Sequence, residues 1–230
     1  MMLTQTRTTA LNELVFLFDV DNTLLDNDRV IDDLRKHLHR KVGSQRARRY
    51  WSIFDQLRTK LGYADYLGAL QRYRADYPRD LRLLTVSRFL IDYPFDDRLF
   101  PNSLRVINRF NKRATVVILS DGDVVFQPHK VERSGLFNAV NGRVLIYVHK
   151  ETELDDVKKR FPARHYVLVD DKLRILTAVK KAWGRRLTTA FVRQGHYADD
   201  PKVLAAYPPA DLQIDHIGDL LQADIRHDFR

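Results

Sequence analysis

The sequence predicts an α/β fold, in which a parallel sheet is flanked by helices and an all-helical segment is inserted after the first strand. Short apolar runs alternate with helical patterns from Asn102 onward, which is typical of a parallel sheet. Between Leu25 and Pro101 this alternation stops, and four amphipathic helical patterns take its place. We therefore predict one catalytic core made of residues 1–26 and 100–230, and one helical insertion made of residues 27–99.

Six apolar runs are the candidate strands of the core. They cover residues 14–18, 114–119, 143–148, 165–169, 187–192 and 211–214. Each is short and bounded by polar or turn-forming residues, as buried strands are.

The four helical patterns of the insertion have recognisable start and stop signals. Asp28 is the expected N-cap of the first helix, and Ser44 that of the second, which should stop near Gly62. The third pattern covers residues 64–73. The fourth begins near Asp80 and ends before Pro94. Most apolar residues in these stripes should pack in the core.

Chemically reactive side chains follow four of the apolar runs. Asp19 and Asp21 follow the first, and because side chains alternate along an extended chain, both should emerge on one side. The other runs lead to Ser120, to His149 with Lys150, and to Asp170 with Asp171. Ligands of open α/β sheets bind beyond the carboxyl ends of the strands, so these side chains should meet at one place. A hard cation such as Mg²⁺, which takes oxygen ligands, would relieve the repulsion among the carboxylates.

This order of residues resembles the haloacid dehalogenase-like superfamily, whose phosphatases carry a DxDxT motif, then Ser or Thr, then Lys, then an acidic pair. The matching segments here are DVDNT with Asp19, Asp21 and Thr23, ILSDG with Ser120, YVHKE with Lys150, and LVDDK with Asp170 and Asp171. The resemblance covers nearly the whole chain. It implies a Rossmann-like core with a helical cap domain. One departure concerns the loop after the lysine, where Glu151 stands in place of the proline of many relatives with a helical cap.

The resemblance also implies roles for these residues. Asp19 would be the nucleophile that forms an aspartyl-phosphate, and Asp21 the general acid and base. Lys150 and Ser120 would cradle the phosphoryl group. The metal set would be the carboxylates of Asp19 and Asp170, the backbone carbonyl of Asp21, and Asp171, which would orient metal-bound water or Lys150. Substrate-binding candidates, some of them shared with these roles, are Thr23, Ser120, Asp121, Gly122, Lys150 and Arg49.

The composition excludes several classes of protein. No apolar run approaches the roughly 20 residues that a membrane helix needs, so we expect no membrane partner. Residues 1–12 are polar and lack the apolar stretch of a secretory signal. The chain contains no cysteine, which excludes disulfides, thiolate metal sites and a cysteine nucleophile. The cytoplasm is the default location. Nothing in the sequence sets an oligomeric state.

The positive charge is concentrated in the insertion. Residues 29–98 hold 16 Lys and Arg against 9 Asp, a balance of +7 out of the net +9 of the whole chain. The densest patch is Arg46, Arg48 and Arg49, beside Tyr50 and Trp51. The patch is either a solvated helix face, a contact for a small anionic substrate, or a nucleic-acid surface. The two aromatic residues fit the buried helical stripe better than an exposed stacking surface.

The expected activity is Mg²⁺-dependent hydrolysis of a phosphomonoester, with a small phosphorylated metabolite as substrate. A dehalogenase needs no acid two residues after the nucleophile, because a halide leaves without a proton, so Asp21 favours phosphate transfer. A phosphomutase and a dehalogenase stay open as alternatives. So does a nucleic-acid-end phosphatase or a nucleic-acid-binding protein that uses the basic insertion.

Overall fold

The structure, a computed structural model, describes residues 12–196, 198 and 200–223. The strands are β1 Asn12–Phe18, β2 Thr115–Asp121, β3 Val144–Tyr147, β4 Ala163–Asp170, β5 Leu187–Val192 and β6 Leu212–Ile214. The helices are α1 Asn27–Val42, α2 Ser44–Leu61, α3 Tyr66–Asp76, α4 Leu83–Ile91, α5 Ser103–Asn111, α6 Phe126–Arg133, α7 Leu136–Ala139, α8 Leu154–Arg160, α9 Leu173–Trp183 and α10 Pro201–Ala206. Single 3₁₀ turns cover Phe95–Arg98, Lys150–Thr152, Gly184–Arg186 and Ile217–Leu221.

The six strands form one parallel sheet in the order β3-β2-β1-β4-β5-β6. Strand β1 therefore lies between β2 and β4, and the carboxyl ends of all three meet at the middle of one sheet edge. This is the position at which ligands bind in open α/β sheets. The strand order alone thus brings the residues after β1, β2 and β4 together.

Both faces of the sheet are covered, because alternate residues of β1 are apolar on each side. Phe16 and Phe18 pack on one face, where the Phe16 ring stacks on Phe110 of α5 at 4.3 Å between centroids. Val15 and Leu17 pack on the other face with residues of α8 and α9. Burial on both faces is why these strands read as continuous apolar runs.

Helices α1 to α4 come between β1 and β2 along the chain, and they pack on one another and on the core. The Tyr50 side chain of α2 is fully buried, and its hydroxyl donates to the carbonyl of Tyr66 at 3.0 Å. The Tyr66 ring in turn lies against Phe126 of α6, with centroids 5.3 Å apart. The inserted helices thus close over the same edge of the sheet to which the motif residues point. The domain boundaries 26/27 and 99/100 remain a prediction.

The predicted α/β fold with a parallel sheet is confirmed, and the strand bounds agree within two residues. Two predicted N-caps are wrong. Asp26, not Asp28, caps α1, and its carboxylate accepts from the N–H of Arg29 at 2.9 Å. Helix α2 begins after Gly43, and the Ser44 hydroxyl lies 3.3 Å from His39 Nδ1 instead of bonding a backbone N–H. Among the described residues, no helix combines the length and the apolar character needed to cross a membrane.

Candidate active site

The turn after β1 places the two aspartates of the first motif. The N–H of Asp19 continues the sheet and donates to the carbonyl of Val169 in β4 at 3.0 Å. Asn22 then takes a left-handed conformation (φ 61°), and its side-chain oxygen accepts from the N–H groups of Asn27 and Asp28 at 3.0 and 3.2 Å. Asn22 therefore joins the end of β1 to the start of α1, which turns the chain into the insertion.

Lys150 links the first and last motifs. Its ammonium group is fully buried and lies 2.5 Å from Asp19 Oδ1 and 2.7 Å from Asp170 Oδ2. Burial would lower the pKa of Lys150, but the charges of Asp170 and Asp19 outweigh burial and raise the pKa well above its usual value. The backbone N–H of Lys150 donates to Asp121 Oδ1 at 2.8 Å, so Asp121 holds the loop that presents the lysine. Lys150 is therefore a fixed cation beside the predicted nucleophile.

Three buried carboxylates form a cluster that fits a metal ion. Asp19, Asp170 and Asp171 each offer one oxygen, and these oxygens lie within 4.8 Å of one another. Both oxygens of Asp171 are buried without a hydrogen-bond partner among the described residues. Burial, reinforced by the charge of Asp19, raises the pKa of Asp170 to about 6 even though Lys150 opposes the shift. Burial likewise raises the pKa of Asp171 well above its usual value. The cluster offers only oxygen ligands, which Mg²⁺ prefers. A divalent cation bound there would favour the ionised form of the carboxylates and would give the buried oxygens of Asp171 a partner.

Ser120, at the end of β2, lies beside the first turn of α6. Its hydroxyl oxygen accepts a hydrogen bond from Gln127 Nε2 at 3.0 Å. Gly122 follows, and a Cβ at this position would stand 2.6 Å from the Cβ of Gln127. A glycine is thus required for α6 to approach the strand end closely and place Gln127 against Ser120.

Lys130 of α6 is a site residue that the sequence analysis missed. Its ammonium group is buried and donates to both carboxylate oxygens of Asp21, at 2.7 and 2.9 Å, and to Asn27 Oδ1 at 3.0 Å. It lies on the same helix face as the buried residues Phe126, Gln127 and Val131. A lysine on the apolar stripe of a helix is the signal that could have identified it, because a lysine is rarely buried without a partner.

A cavity of about 310 Å³ lies between the sheet edge and the inserted helices. Asp21, Asp121, Gly122 and Gln127 are on its core side. The helical insertion forms the opposite wall of the cavity, which is lined by Asn27, Ile31, Phe54, Arg58, Gly62, Tyr63, Ala64 and Tyr66. A second, more open groove of about 950 Å³ shares Ile31, Phe54, Arg58 and His196 with the cavity. Asp19 is buried beneath this space, whereas the side chain of Asp21 faces it with 24% of its surface exposed.

The structure assigns two predicted substrate-binding residues to other contacts. Thr23 is fully buried, and its hydroxyl donates to Asp19 Oδ2 at 3.3 Å, so it contacts the predicted nucleophile. Arg49 does not line the cavity. Its guanidinium lies on an exposed face of α2 and donates to Asp76 of α3 at 2.6 Å. This position does not fit the prediction that Arg49 binds substrate, and the basic residue of α2 that lines the cavity is Arg58, two and a half turns later.

The basic patch of the insertion is partly neutralised by acidic neighbours. Arg46 pairs with Asp80, and its guanidinium also lies over the Tyr77 ring. Tyr50 is fully buried, and Trp51 is partly buried and packs edge-to-face on Tyr50 with ring centroids 5.4 Å apart. The two aromatic residues therefore pack in the helical bundle instead of forming an exposed platform on which bases would stack.

Among solved structures, the chain is similar to a protein from Burkholderia xenovorans described as a haloacid dehalogenase-like hydrolase. The two sequences are 63% identical, the match covers 92% of this chain and 99% of the other, and the TM-score is 0.88. The fold is also similar to that of the HAD-hydrolase YfnB from Bacillus subtilis, solved with magnesium bound (16% identity, 91% and 97% coverage, TM-score 0.61). A third match is L-2-haloacid dehalogenase from Xanthobacter autotrophicus with chloropropionic acid covalently bound (16% identity, 90% and 96% coverage, TM-score 0.57). No family model and no curated protein matches the chain. The order of the motifs, the sheet that gathers them and the extensive identity to the Burkholderia protein show that this chain belongs to the haloacid dehalogenase-like hydrolases.

Proposed function

We propose that this hydrolase is a Mg²⁺-dependent phosphatase that cleaves small phosphomonoesters through an aspartyl-phosphate. The observation that carries the proposal is the environment of Asp21. Its carboxylate faces the cavity, two residues after the buried Asp19, at the place where the leaving group of a phosphate ester would lie. An alkoxide needs a proton to leave, whereas a halide does not, so an acid at this position favours a phosphate ester over an alkyl halide as the substrate.

The residues of the site support two successive displacements. Asp19 attacks phosphorus, the ester bond breaks, and the leaving oxygen takes a proton from Asp21. Water then attacks the phosphorus of aspartyl-phosphate and gives its proton to the Asp21 carboxylate, which frees Asp19 and inorganic phosphate. Lys150, held between Asp19 and Asp170, orients the nucleophile and neutralises phosphoryl charge. The hydroxyl of Ser120, positioned by Gln127, supplies a hydrogen bond to a phosphoryl oxygen.

Mg²⁺, when bound by the carboxylates of Asp19 and Asp170 and the backbone carbonyl of Asp21, would supply the positive charge that lets an anionic nucleophile approach an anionic phosphate. Asp171 would accept hydrogen bonds from water on the ion, which gives a role to its two buried, unpartnered oxygens. The fit of the carboxylate cluster to an oxygen-binding cation supports this assignment.

A small substrate is favoured over nucleic acid. A cavity of about 310 Å³ is at the low end of the range of small-molecule sites. The aromatic residues of the basic patch are packed in the helical bundle, and Arg46 and Arg49 are paired with aspartates. Neither feature favours a continuous path for a polynucleotide.

The test is a release screen with two readouts on the same enzyme. Phosphate release is measured over a panel of phosphorylated metabolites and an aryl phosphate, with Mg²⁺ and after exhaustive chelation, and halide release is measured from chloropropionic acid. We expect phosphate release that requires Mg²⁺ and no halide release. Halide release without phosphate release, or full phosphatase activity after chelation, would overturn the proposal. A tight, salt-sensitive complex with a nucleic-acid end that is dephosphorylated would replace the small substrate with a polymeric one.

A further inference from the structure

The wall that the helical insertion contributes to the cavity contains polar groups that the phosphoryl chemistry does not use. The Tyr66 hydroxyl is buried and makes no hydrogen bond of standard length with any described residue. Its ring is fixed between Phe54 and Phe126, with centroid distances of 4.9 and 5.3 Å. Burial and the nearby charge of Asp21 raise the pKa of Tyr66, which Asn27 and Arg58 oppose. A fixed neutral hydroxyl therefore lies close to Asp21 on the side of the leaving group. Leaving a buried hydroxyl without a partner costs about 1–3 kcal/mol, which a ligand can recover.

Arg58 lies next along the same wall. It is on the last turn of α2, it lines both the closed cavity and the open groove, and its charge acts on Tyr66. The described residues that the insertion contributes to the cavity wall include no carboxylate, since Asp21 and Asp121 both belong to the core side. On the core side, Arg174 also lines the cavity, although it is paired with Glu151 at 2.5 Å. Arg58 is thus the cation that the insertion brings to the cavity wall, and carboxylates of the insertion (Asp28, Asp32 and Asp55) line only the groove outside it.

We propose that the leaving group of the substrate carries a second anionic group, a carboxylate or a second phosphate, which Arg58 binds, while the Tyr66 hydroxyl bonds a polar group between this anion and the ester oxygen. The inference rests on the proposed phosphatase activity and names its substrate class. Asp21, Tyr66 and Arg58 all line the cavity, and Arg58 also lines the open groove beside it. In this proposal the path of the leaving group runs from Asp21 past Tyr66 to Arg58. A substrate with an anion on this path gains a charge-assisted hydrogen bond that a neutral analogue lacks.

The test compares substrates that differ only in this charge. Phosphoglycerate and glycerol phosphate differ by a carboxylate in place of a hydroxymethyl group, and propanediol bisphosphate and hydroxypropyl phosphate differ by a second phosphate. Steady-state kinetics on the Mg²⁺-loaded enzyme should give a kcat/KM roughly 10- to 100-fold higher for the anionic member of at least one pair. The pair that shows the preference tells whether the anion is a carboxylate or a phosphate.

Variants assign the preference to a residue. Arg58→Gln should remove most of the preference, and Arg58→Lys should keep part of it because the charge remains. Lys60→Gln is the matched control, because Lys60 is exposed on the same helix turn, carries the same charge and does not line the cavity. This variant should keep the full preference. Tyr66→Phe keeps the ring packing and should raise KM for both members of the preferred pair by roughly 5-fold or more.

The outcomes separate this inference from the proposed function. Equal kcat/KM within both pairs, or a preference that survives in Arg58→Gln, would overturn the inference that Arg58 binds a second anionic group. The proposed phosphatase activity would not be affected. An unchanged KM in Tyr66→Phe would overturn the role of that hydroxyl. Absence of phosphate release from every ester, the aryl phosphate included, would overturn the proposed function and the inference with it.

Discussion

Asp19 and Asp21 are separated by a single residue, yet their surroundings differ in ways that suit different chemistry. Asp19 is buried, with Lys150 and Thr23 on its carboxylate. Asp21 faces the cavity and is held by Lys130. A buried, oriented carboxylate suits a nucleophile, because its attack angle is fixed. A carboxylate at the cavity surface suits proton exchange with a leaving group and with water.

Replacing each aspartate separately should give two distinct kinetic signatures. Asp19→Asn lacks the attacking carboxylate, so turnover should nearly vanish and no phosphoenzyme should form. Asp21→Asn keeps the nucleophile but has no proton to give to the leaving group. Turnover of alkyl phosphates should therefore fall roughly 100-fold or more, as is typical of lost acid catalysis, and turnover of activated aryl phosphates should fall less. Acid quench followed by intact-mass measurement detects the phosphoenzyme. Equal losses on all leaving groups in single turnover would refute the acid role of Asp21.

Lys130 should be needed for turnover because it holds the carboxylate of Asp21 in place. Lys130→Met keeps the length of the side chain but removes the cation that donates to both oxygens of Asp21. The carboxylate would lose its fixed orientation, so we expect kcat to fall roughly 10- to 100-fold with a smaller change in KM. Steady-state kinetics on an alkyl and an aryl phosphate measure the effect, and Lys130→Arg should recover part of it. An unchanged kcat in Lys130→Met would show that Asp21 needs no such support.

The nucleophile and its partners could be predicted from the sequence, whereas Lys130 could not. Asp19, Lys150 and Asp170 each lie at or just after the end of a strand, and the rule for parallel sheets gathers strand ends in space. Lys130 contacts Asp21 from the middle of a helix, 109 positions away in the chain. No local spacing encodes such a contact. Only its position on the buried stripe of α6 distinguishes it from an ordinary surface lysine.

At the scale of elements, the strands were easier to predict than the helix ends. A buried strand is a run of apolar residues with sharp limits, so 187–192 was predicted with the bounds that the structure shows for β5. A helix start depends on which of several capping residues bonds a backbone N–H. Asp26 and Asp28 are two residues apart and chemically identical, and the choice is made by Asn22 and His196, both of which contact Asp28. His196 lies far along the chain, so sequence proximity could not reveal this competition.

The end of α2 gives a prediction about how the insertion is seated on the core. Gly62 ends this helix with a positive φ of 82°, and a Cβ there would stand 2.4 Å from the His149 ring. Gly135 has a similar φ of 81° but nothing within 4 Å of a Cβ, so it is a matched control for backbone strain. Gly135→Ala should cost about 1 kcal/mol of unfolding free energy, and Gly62→Ala about 1–3 kcal/mol more.

Denaturant unfolding of both variants measures the difference. In the double variant Gly62→Ala/His149→Ala, the clash is removed and only the backbone strain remains, so the extra cost should largely disappear, allowing for any cost of His149→Ala alone. Equal destabilisation by the two glycine substitutions would mean that His149 moves aside freely. It would also mean that the contact between the helix end and the β3 loop does not hold the insertion in place.

For the whole molecule, the central carboxylates couple folding to pH and to metal. The folded pKa of Asp170 is raised to about 6, above the value of about 3.9 expected for an unfolded chain. The folded state therefore holds this proton more tightly than the unfolded state. The stabilisation that this bound proton gives is fully present below the pKa that Asp170 has in the unfolded state. It is lost as pH rises through the pKa that Asp170 has in the folded state. The raised pKa of Asp171 acts in the same direction. Without metal, the protein should thus lose stability as pH rises from about 4 past 6.

Mg²⁺ should reverse this loss, and more strongly at neutral than at acidic pH, because it competes with protons for the same carboxylates. At about 100 times its Kd, a ligand specific for the folded state adds about 2.7 kcal/mol, or roughly 5–10 °C in Tm for a chain of this size. We expect a shift of this order near pH 7.5, and little shift near pH 5. Thermal unfolding with and without Mg²⁺, at matched ionic strength, measures it without relying on activity. Asp171→Asn should weaken the response, while Asp155→Asn, whose side chain is 97% exposed, should leave it intact. A shift of equal size at both pH values, or one that Asp171→Asn leaves unchanged, would mean that the ion binds elsewhere and that these carboxylates do not form its site.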